Sequence, residues 1–266
     1  KVEPDSRPTA SIPIEEKKTF AWIKAVRECV DLAGILPDTR QICVMDREAD
    51  FYELFDEQRK TGKVDLLVRA KHDRTIDDEG LHLFDVLRNS AACAEMEIHI
   101  PRQSTRPKKS KQQAKAGHAQ RKAKVALRYI EIELRPGAYH KDKETIRLRV
   151  VHVQEISKPI DDDRVEWFLL TTCVVSTPEQ AQQILRWYCL RWRVEDWHRV
   201  LKSGCAIEKL QHKTAERLKR SITINLVIAW RIMLLTLLGR QSPQLPTEVL
   251  FSDLEIKVLQ ALVKKN

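Results

Sequence analysis

The stretch QICVMDREADFYELFDEQRKTGKVDLLVRA, residues 41–70, decides the fold. Gln41 to Met45 is a short apolar run of β-formers, which predicts a buried strand ending abruptly at Asp46. Asp50 predicts an N-cap for a helix through Arg59 that carries Leu54 and Phe55, and Gly62 ends that helix. Val64 to Ala70 is a second strand. Strand, helix and strand in this span make a βαβ unit with parallel strands. An acid that closes a buried parallel strand lies where open α/β sheets place their sites, so Asp46 is a candidate site residue. The competing reading of Asp46 is a helix cap or loop acid, a role that Asp50 fills more naturally.

Upstream, residues 15–33 have a helical pattern in Phe20, Ile23, Val26 and Val30, punctuated by Gly34 and Pro37. The first dozen residues read as an irregular lead-in, and nothing in them resembles a signal peptide. Downstream, Glu95–Ile100, Val125–Leu134, Ile146–Gln154 and Trp167–Val175 are β-rich and predict a mainly antiparallel sheet. In the second of these, Glu131 and Glu133 fall on one face, with Ile132 and Leu134 on the other. Thr177-Pro178-Glu179-Gln180 has N-cap, N1 and N3 chemistry and opens a helical region. The result is an α/β chain divided as 1–75, 76–176, 177–240 and 241–266.

The 266 residues include 47 basic and 38 acidic side chains, a formal net charge of +9. Nine basic residues and no acid fall between 101 and 124, so this one stretch holds the entire surplus. It has no apolar period and reads as a mobile loop between two strands. Such a block attracts a polyanion by counterion release, or it is simply a solvated loop. Hydrophobic residues make up 42% of the chain, which excludes global disorder. The six cysteines form no C-x-x-C pair, so no zinc ribbon or redox motif is present, and reduced thiols of a cytoplasmic protein are expected. The eight histidines show no H-E-x-x-H spacing. No run reaches the ~18 uninterrupted apolar residues of a membrane span; the longest, Ile222 to Leu238, is broken by Thr223, Asn225, Arg231 and Thr236.

Residues 179–202, taken as one helix at about 100° per residue, place Tyr188, Arg191, Glu195, Arg199 and Lys202 within about 80° of one another. Leu190, Val194, Trp197 and Leu201 fall opposite and predict a core-facing stripe. One carboxylate among cations and a phenol reads either as a salt-bridged solvent face, through the (i, i+4) pairs Arg191–Glu195 and Glu195–Arg199, or as a metal-binding acid beside a phosphate track. A strand-end acid and a helix acid converging on one ion would suit two-metal phosphoryl transfer.

Tyr188, Arg191, Glu195 and Lys202 fit Y-x2-R-x3-E-x6-K at every interval. That pattern resembles the signature of bacterial cut-and-paste transposases of the insertion-sequence-four family, to which the transposon-five transposase belongs. Asp46-Arg47-Glu48-Ala49-Asp50 is similar to that family's second catalytic-Asp motif, and the resemblance runs from about residue 40 to 240. It implies a ribonuclease-H-like core interrupted by a β-sheet insertion, with a DDE triad binding Mg²⁺ or Mn²⁺. Asp46 would be the second acid and Glu195 the third. It further implies double-stranded DNA as partner, at transposon ends and target, with phosphate contacts from Tyr188, Arg191 and Lys202. Trp192 would add an end contact, and Trp167 in Glu166-Trp167-Phe168-Leu169-Leu170 would stack on a flipped base. Arg69 and Arg199 match further basic positions.

A homodimer without membrane attachment, cytoplasmic and bound to the nucleoid, is the implied state. One departure stands out. The family's first Asp lies on an earlier strand, and Asp5, Asp31 and Asp38 lack that context. The expectation is therefore a partial transposase, inactive alone for want of one acid, the early core strands and the end-recognition domain. The alternative is a non-catalytic DNA-binding remnant. A glycosidase reading is disfavoured by the cations around Glu195.

Overall fold

The computed structural model describes residues 12–76, 80–102, 117, 119–136, 142–157 and 164–263. The chain divides into two compact units, Lys1–Arg191 and Trp192–Asn266.

The first unit is built on one six-stranded sheet: β1 (Ile42–Met45), β2 (Asp65–Arg69), β3 (Ala94–Ile100), β4 (Arg121–Leu134), β5 (Ile146–Glu155) and β6 (Glu166–Thr171). Its spatial order is β1-β2-β6-β5-β4-β3. The β1–β2 pair is parallel, as the βαβ reading requires, and every other pairing is antiparallel. The strands of the βαβ unit and those of the β-rich segment thus share a single sheet, joined where β2 pairs with β6.

Helices cover both faces. Helices α1 (Phe20–Ile35), α2 (Tyr52–Thr61) and α3 (Leu83–Asn89) belong to one side. There Ile23, Val26, Leu54, Phe55, Leu83 and Leu87 form one core with Leu66, Val68, Leu148, Val150, Phe168 and Leu170. α4 (Pro178–Leu190) packs across β3, β4 and β5 through Ala181, Ile184, Leu185 and Tyr188. Because side chains alternate along a strand, β6 turns Phe168 and Leu170 to the first face and Trp167 and Leu169 to the second. β2 likewise turns Val68 to the first and Arg69 to the second. β6 buries both faces from Trp167 onward, which explains its continuous apolar reading.

Several expectations need correction. The first helix starts at Phe20, not residue 15, and runs through Gly34 to Ile35. α3 lies in a segment read as β-rich; its Leu83 and Leu87 are one turn apart, too short a pattern to show as a period. The last strand stops at Thr171 instead of Val175, because the Thr171 and Thr172 hydroxyls bond to Leu66 and Asp65 and turn the chain. Asp50 does not cap α2. Phe51 holds that position without a side-chain bond, whereas the buried Asp50 carboxylate takes the Lys71 and His72 amides and the Arg74 guanidinium. Gly62, at φ +62°, closes α2 as expected. Thr177 and Gln180 form a capping box at the start of α4. All six cysteines are free thiols.

Of the basic stretch 101–124, residues 103–116 and 118 lie outside the described residues. Its end is not loop. Arg121, Lys122 and Lys124 belong to β4, where Lys122 and Lys124 pair with Glu97 and Glu95 across the β3–β4 ladder. Arg121 reaches the buried Glu155, whose carboxylate also accepts the Val165 amide at 3.0 Å and the Ser157 hydroxyl at 3.1 Å. Burial opposes the charge on Glu155, but Arg121 and these donors outweigh it and hold the carboxyl below its usual range.

The second unit contains α5 (Arg193–Arg199), a π-helical turn over Val200–Gly204, α6 (Ala215–Gln241) and α7 (Asp253–Val263). α5 and the π turn pack on α6, and the Trp197 indole donates to the Leu226 carbonyl at 3.3 Å. Arg231 of α6 pairs with Glu255 of α7 at 2.7 Å and lies over the Phe251 ring. By length and composition alone α6 suffices to cross a bilayer, with a mean hydropathy of 1.9 over its most apolar window.

Glu155→Ala strands Arg121 and frees the entry to β6. Urea unfolding should show a loss of about 3–5 kcal/mol; a loss below about 1 kcal/mol would show that the pair does not hold the strand.

Candidate nucleic-acid interface

Three elements of the first unit bring a phenol, an indole and guanidinium groups together on the second face of the sheet. β6 supplies Trp167, β2 supplies Arg69, and α4 supplies Tyr188 with Arg191 as its C-cap. The Trp167 and Tyr188 rings lie 5.3 Å apart, tilted by 59°. The Arg69 guanidinium sits 5.9 Å from the Trp167 centroid and its Nη2 donates to the Glu166 carbonyl at 3.4 Å. Burial pushes the Tyr188 phenol up in pKa, while the Arg69 and Arg191 guanidiniums pull it back. Burial pushes Arg69 down, and the like charges of Arg47 and Arg191 push the same way. Charge-assisted donors converging beside a phenol suit a phosphate oxygen.

Arg47 is the member that sequence reasoning misses. It follows Asp46 directly, and its signal is the β1–β2 adjacency, which sets that turn near the C-terminal end of β2, where Arg69 lies.

The helical wheel places Tyr188 on a solvent face and Leu190 on a core face; in α4 the two are reversed. Tyr188 is 3% exposed and Leu190 54%. α4 has its own apolar spacing of Ala181, Ile184, Leu185 and Tyr188, which packs against the sheet and leaves Leu190 outside. Nor is 179–202 one helix. α4 ends at Leu190, Arg191 and Trp192 form a turn, and the π turn follows α5. In the second unit Trp192 is the half-buried N-cap of α5, and Glu195 is exposed in its first turn. Arg199 pairs with Asp196 at 2.6 Å. Lys202 lies in the π turn, exposed, 3.2 Å from Glu208. π turns inside helices often mark functional sites.

Asp46 ends β1 as expected, but it also caps. Its Oδ1 accepts the Glu48 amide at 2.9 Å at the start of a short 3-10 turn, a capping role that the sequence assigns more naturally to Asp50. Among the described residues no three His, Cys, Asp or Glu side chains stand together so as to hold a metal ion. The carboxylates present therefore do not fit a complete divalent-metal centre on their own.

Behind Trp167, on the first face, three rings stack. Phe84 lies 3.8 Å from Phe168, and Phe168 lies 4.3 Å from His152. His152 is wholly buried; its Nε2 faces Glu166 at 3.1 Å, and Nδ1 has no hydrogen-bond partner among the described residues. Burial depresses its pKa to about 4 although Glu166 pulls upward.

These features define an α/β protein in which guanidinium groups lie beside a buried phenol and indole on one face of the sheet. The family described as Transposase DDE domain matches residues 21–231, most of the chain, and the chain belongs to that family. Transposition acts on DNA, which makes DNA the family's partner.

The low His152 pKa carries a stability consequence. A free histidine titrates near about 6.5, so between that pH and 4 the unfolded chain takes up a proton that the folded chain refuses. Stability falls as pH drops through this window, by roughly 3 kcal/mol in all. His152→Phe, which keeps the ring stack, should abolish the loss between about pH 6.5 and 4.5. An unchanged pH profile in denaturant titrations would show that His152 is not the group responsible.

Proposed function

We propose that this chain is the catalytic-region polypeptide of a cut-and-paste DNA transposase similar to the insertion-sequence-four family. Its substrate is double-stranded DNA at transposon ends, and the intact protein works as a homodimer. The observation that carries the reading is the convergence of Arg69, Arg191 and the Tyr188 phenol around Trp167. The guanidiniums bind and orient the phosphodiester, and the phenol hydroxyl donates to a phosphate oxygen. Trp167 is 7% exposed, so an unstacked base reaches its ring once Arg69 swings off the face that it covers, and the stack is worth about 1–3 kcal/mol. Within the second unit, Lys202, Trp192 and Arg199 are DNA contacts by motif position. By motif position, Asp46 and Glu195 would each be an acid of the family's divalent-metal set, which the described residues do not complete, and the ribonuclease-H-like core is the architecture that this assignment expects.

A non-catalytic DNA-binding role is favoured by one observation: Asp46 has an oxygen committed to its cap. Asp46→Asn separates the two readings, because asparagine keeps the cap and loses the charge. In cleavage assays of the intact protein with transposon-end DNA and Mg²⁺ or Mn²⁺, the transposase reading expects cleavage by the unsubstituted protein and none by its Asp46→Asn variant, with DNA binding retained; this chain alone is expected to cleave nothing. No cleavage by either form of the intact protein favours the non-catalytic reading.

Binding is tested separately by salt titration with duplex DNA. Arg69→Ala and Arg191→Ala should each weaken binding and reduce the slope of log K against log salt by about one. An unchanged slope in both would remove these residues from the DNA contact.

A further inference from the structure

Trp167 and Glu166 are neighbours on β6, and they face opposite sides of the sheet. The indole lies beside Arg69 and Tyr188, whereas the carboxylate sits in a cluster of its own. Arg88 of α3 donates two hydrogen bonds to it, at 2.9 and 2.7 Å. The His152 ring of β5 meets it at 3.1 Å. The same guanidinium lies over the Phe84 and Phe168 rings, 5.9 and 5.5 Å from their centroids. Hydrogen bonds from Arg88 and His152 hold the Glu166 carboxyl below its usual range. The backbone carbonyl of Glu166 meanwhile accepts Arg69 Nη2.

One residue is thus gripped from three sides: by α3 through an ion pair, by β5 through a buried imidazole, and by the β2 arginine at its main chain. The grip falls on the first residue of β6. A strand is free to slip at its start, and a one-residue slip would turn every side chain to the other face. Burying a neutral histidine with an unsatisfied nitrogen is unfavourable in itself. Phenylalanine would fill the same stack without that cost, and only the imidazole offers the bond to Glu166.

We propose that Arg88, Glu166 and His152 form a positioning cluster that sets the place of Trp167 at the DNA-binding face without touching DNA. The proposal rests on the DNA reading of Trp167 given above. It makes the Phe84–Phe168–His152 stack and α3 part of the binding apparatus from the far side of the sheet.

The test is a double-mutant cycle in the full chain, with a duplex oligonucleotide as probe. Glu166→Ala and Arg88→Met are each combined with Trp167→Ala. The protein is also labelled with fluorotryptophan, and the Trp167 resonance is identified by its disappearance in Trp167→Phe. Arg27→Met, which breaks an ion pair with Glu57 elsewhere on the unit, is the control for lost stability. All titrations run at a temperature where circular dichroism shows each variant folded.

The expected result is that Glu166→Ala and Arg88→Met weaken binding about five- to tenfold and shift the Trp167 resonance, with Arg27→Met changing neither. Neither substitution should weaken binding further once Trp167 is alanine. Equal weakening with and without Trp167, or an unmoved resonance, overturns the proposal. Should Trp167→Ala bind DNA as well as the parent chain, the DNA reading of Trp167 fails, and the resonance alone then decides whether the cluster positions the ring. If Glu166→Ala does not fold, Arg88→Met, at a half-exposed position, decides between the same two outcomes.

Discussion

The register of β6 is the constraint on which the rest depends. This strand lies between β2 and β5, pairs with both, and is the junction between the parallel βαβ pair and the antiparallel strands. From Trp167 onward it buries both faces, so neither face offers a solvent-exposed alternative. Leu170 opposite Val68 and Val150, and Leu169 opposite Arg69 and Val151, fix the alternation. That alternation sends Phe168 into the core shared with α1, α2 and α3, and Trp167 toward α4. Everything at the candidate interface follows from the second outcome.

Charge is placed in two ways around this strand. On the first face, cations and acids are matched: Arg88 with Glu166, Arg74 with Asp50, Arg59 and Lys143 with Asp56. These pairs close the structure and leave little field for a ligand. On the second face, Arg69 feels a phenol and two like charges, Arg47 and Arg191, on top of its burial.

Much of the fold is legible in the sequence. The run from Gln41 to Ala70 reveals its strands, helix and Gly62 stop because apolar runs bounded by acids and glycine leave few alternatives. The Thr177–Gln180 capping box is readable for the same reason: its chemistry is local. What escapes depends on packing. A single wheel over 179–202 assumes one straight helix, but Arg191 and Trp192 form a turn, and so the stripe inferred for the second segment is imposed on the first. Tyr188 therefore moves from the solvent face to the sheet, and Leu190 moves the other way. Asp50 leaves the expected cap because it is drawn to amides and an arginine more than twenty residues away in sequence, a contact that local capping rules do not contain. Arg47 stays hidden until β1 and β2 are seen side by side. The motif residues of the second unit, Glu195 and Lys202, are identified by spacing alone, and the π turn that carries Lys202 leaves no trace in that spacing.

The most direct test of the central claim is photocrosslinking of the chain to duplex DNA carrying iodinated uracil near the end, with the crosslinked peptides mapped by mass spectrometry. The account expects crosslinks to Trp167 or Tyr188, in peptides spanning 164–171 or 178–191, and expects Arg69→Ala to diminish them. Crosslinks confined to the basic stretch 101–124, with the β6 and α4 peptides unmodified, would contradict it and would make that stretch the DNA-binding element.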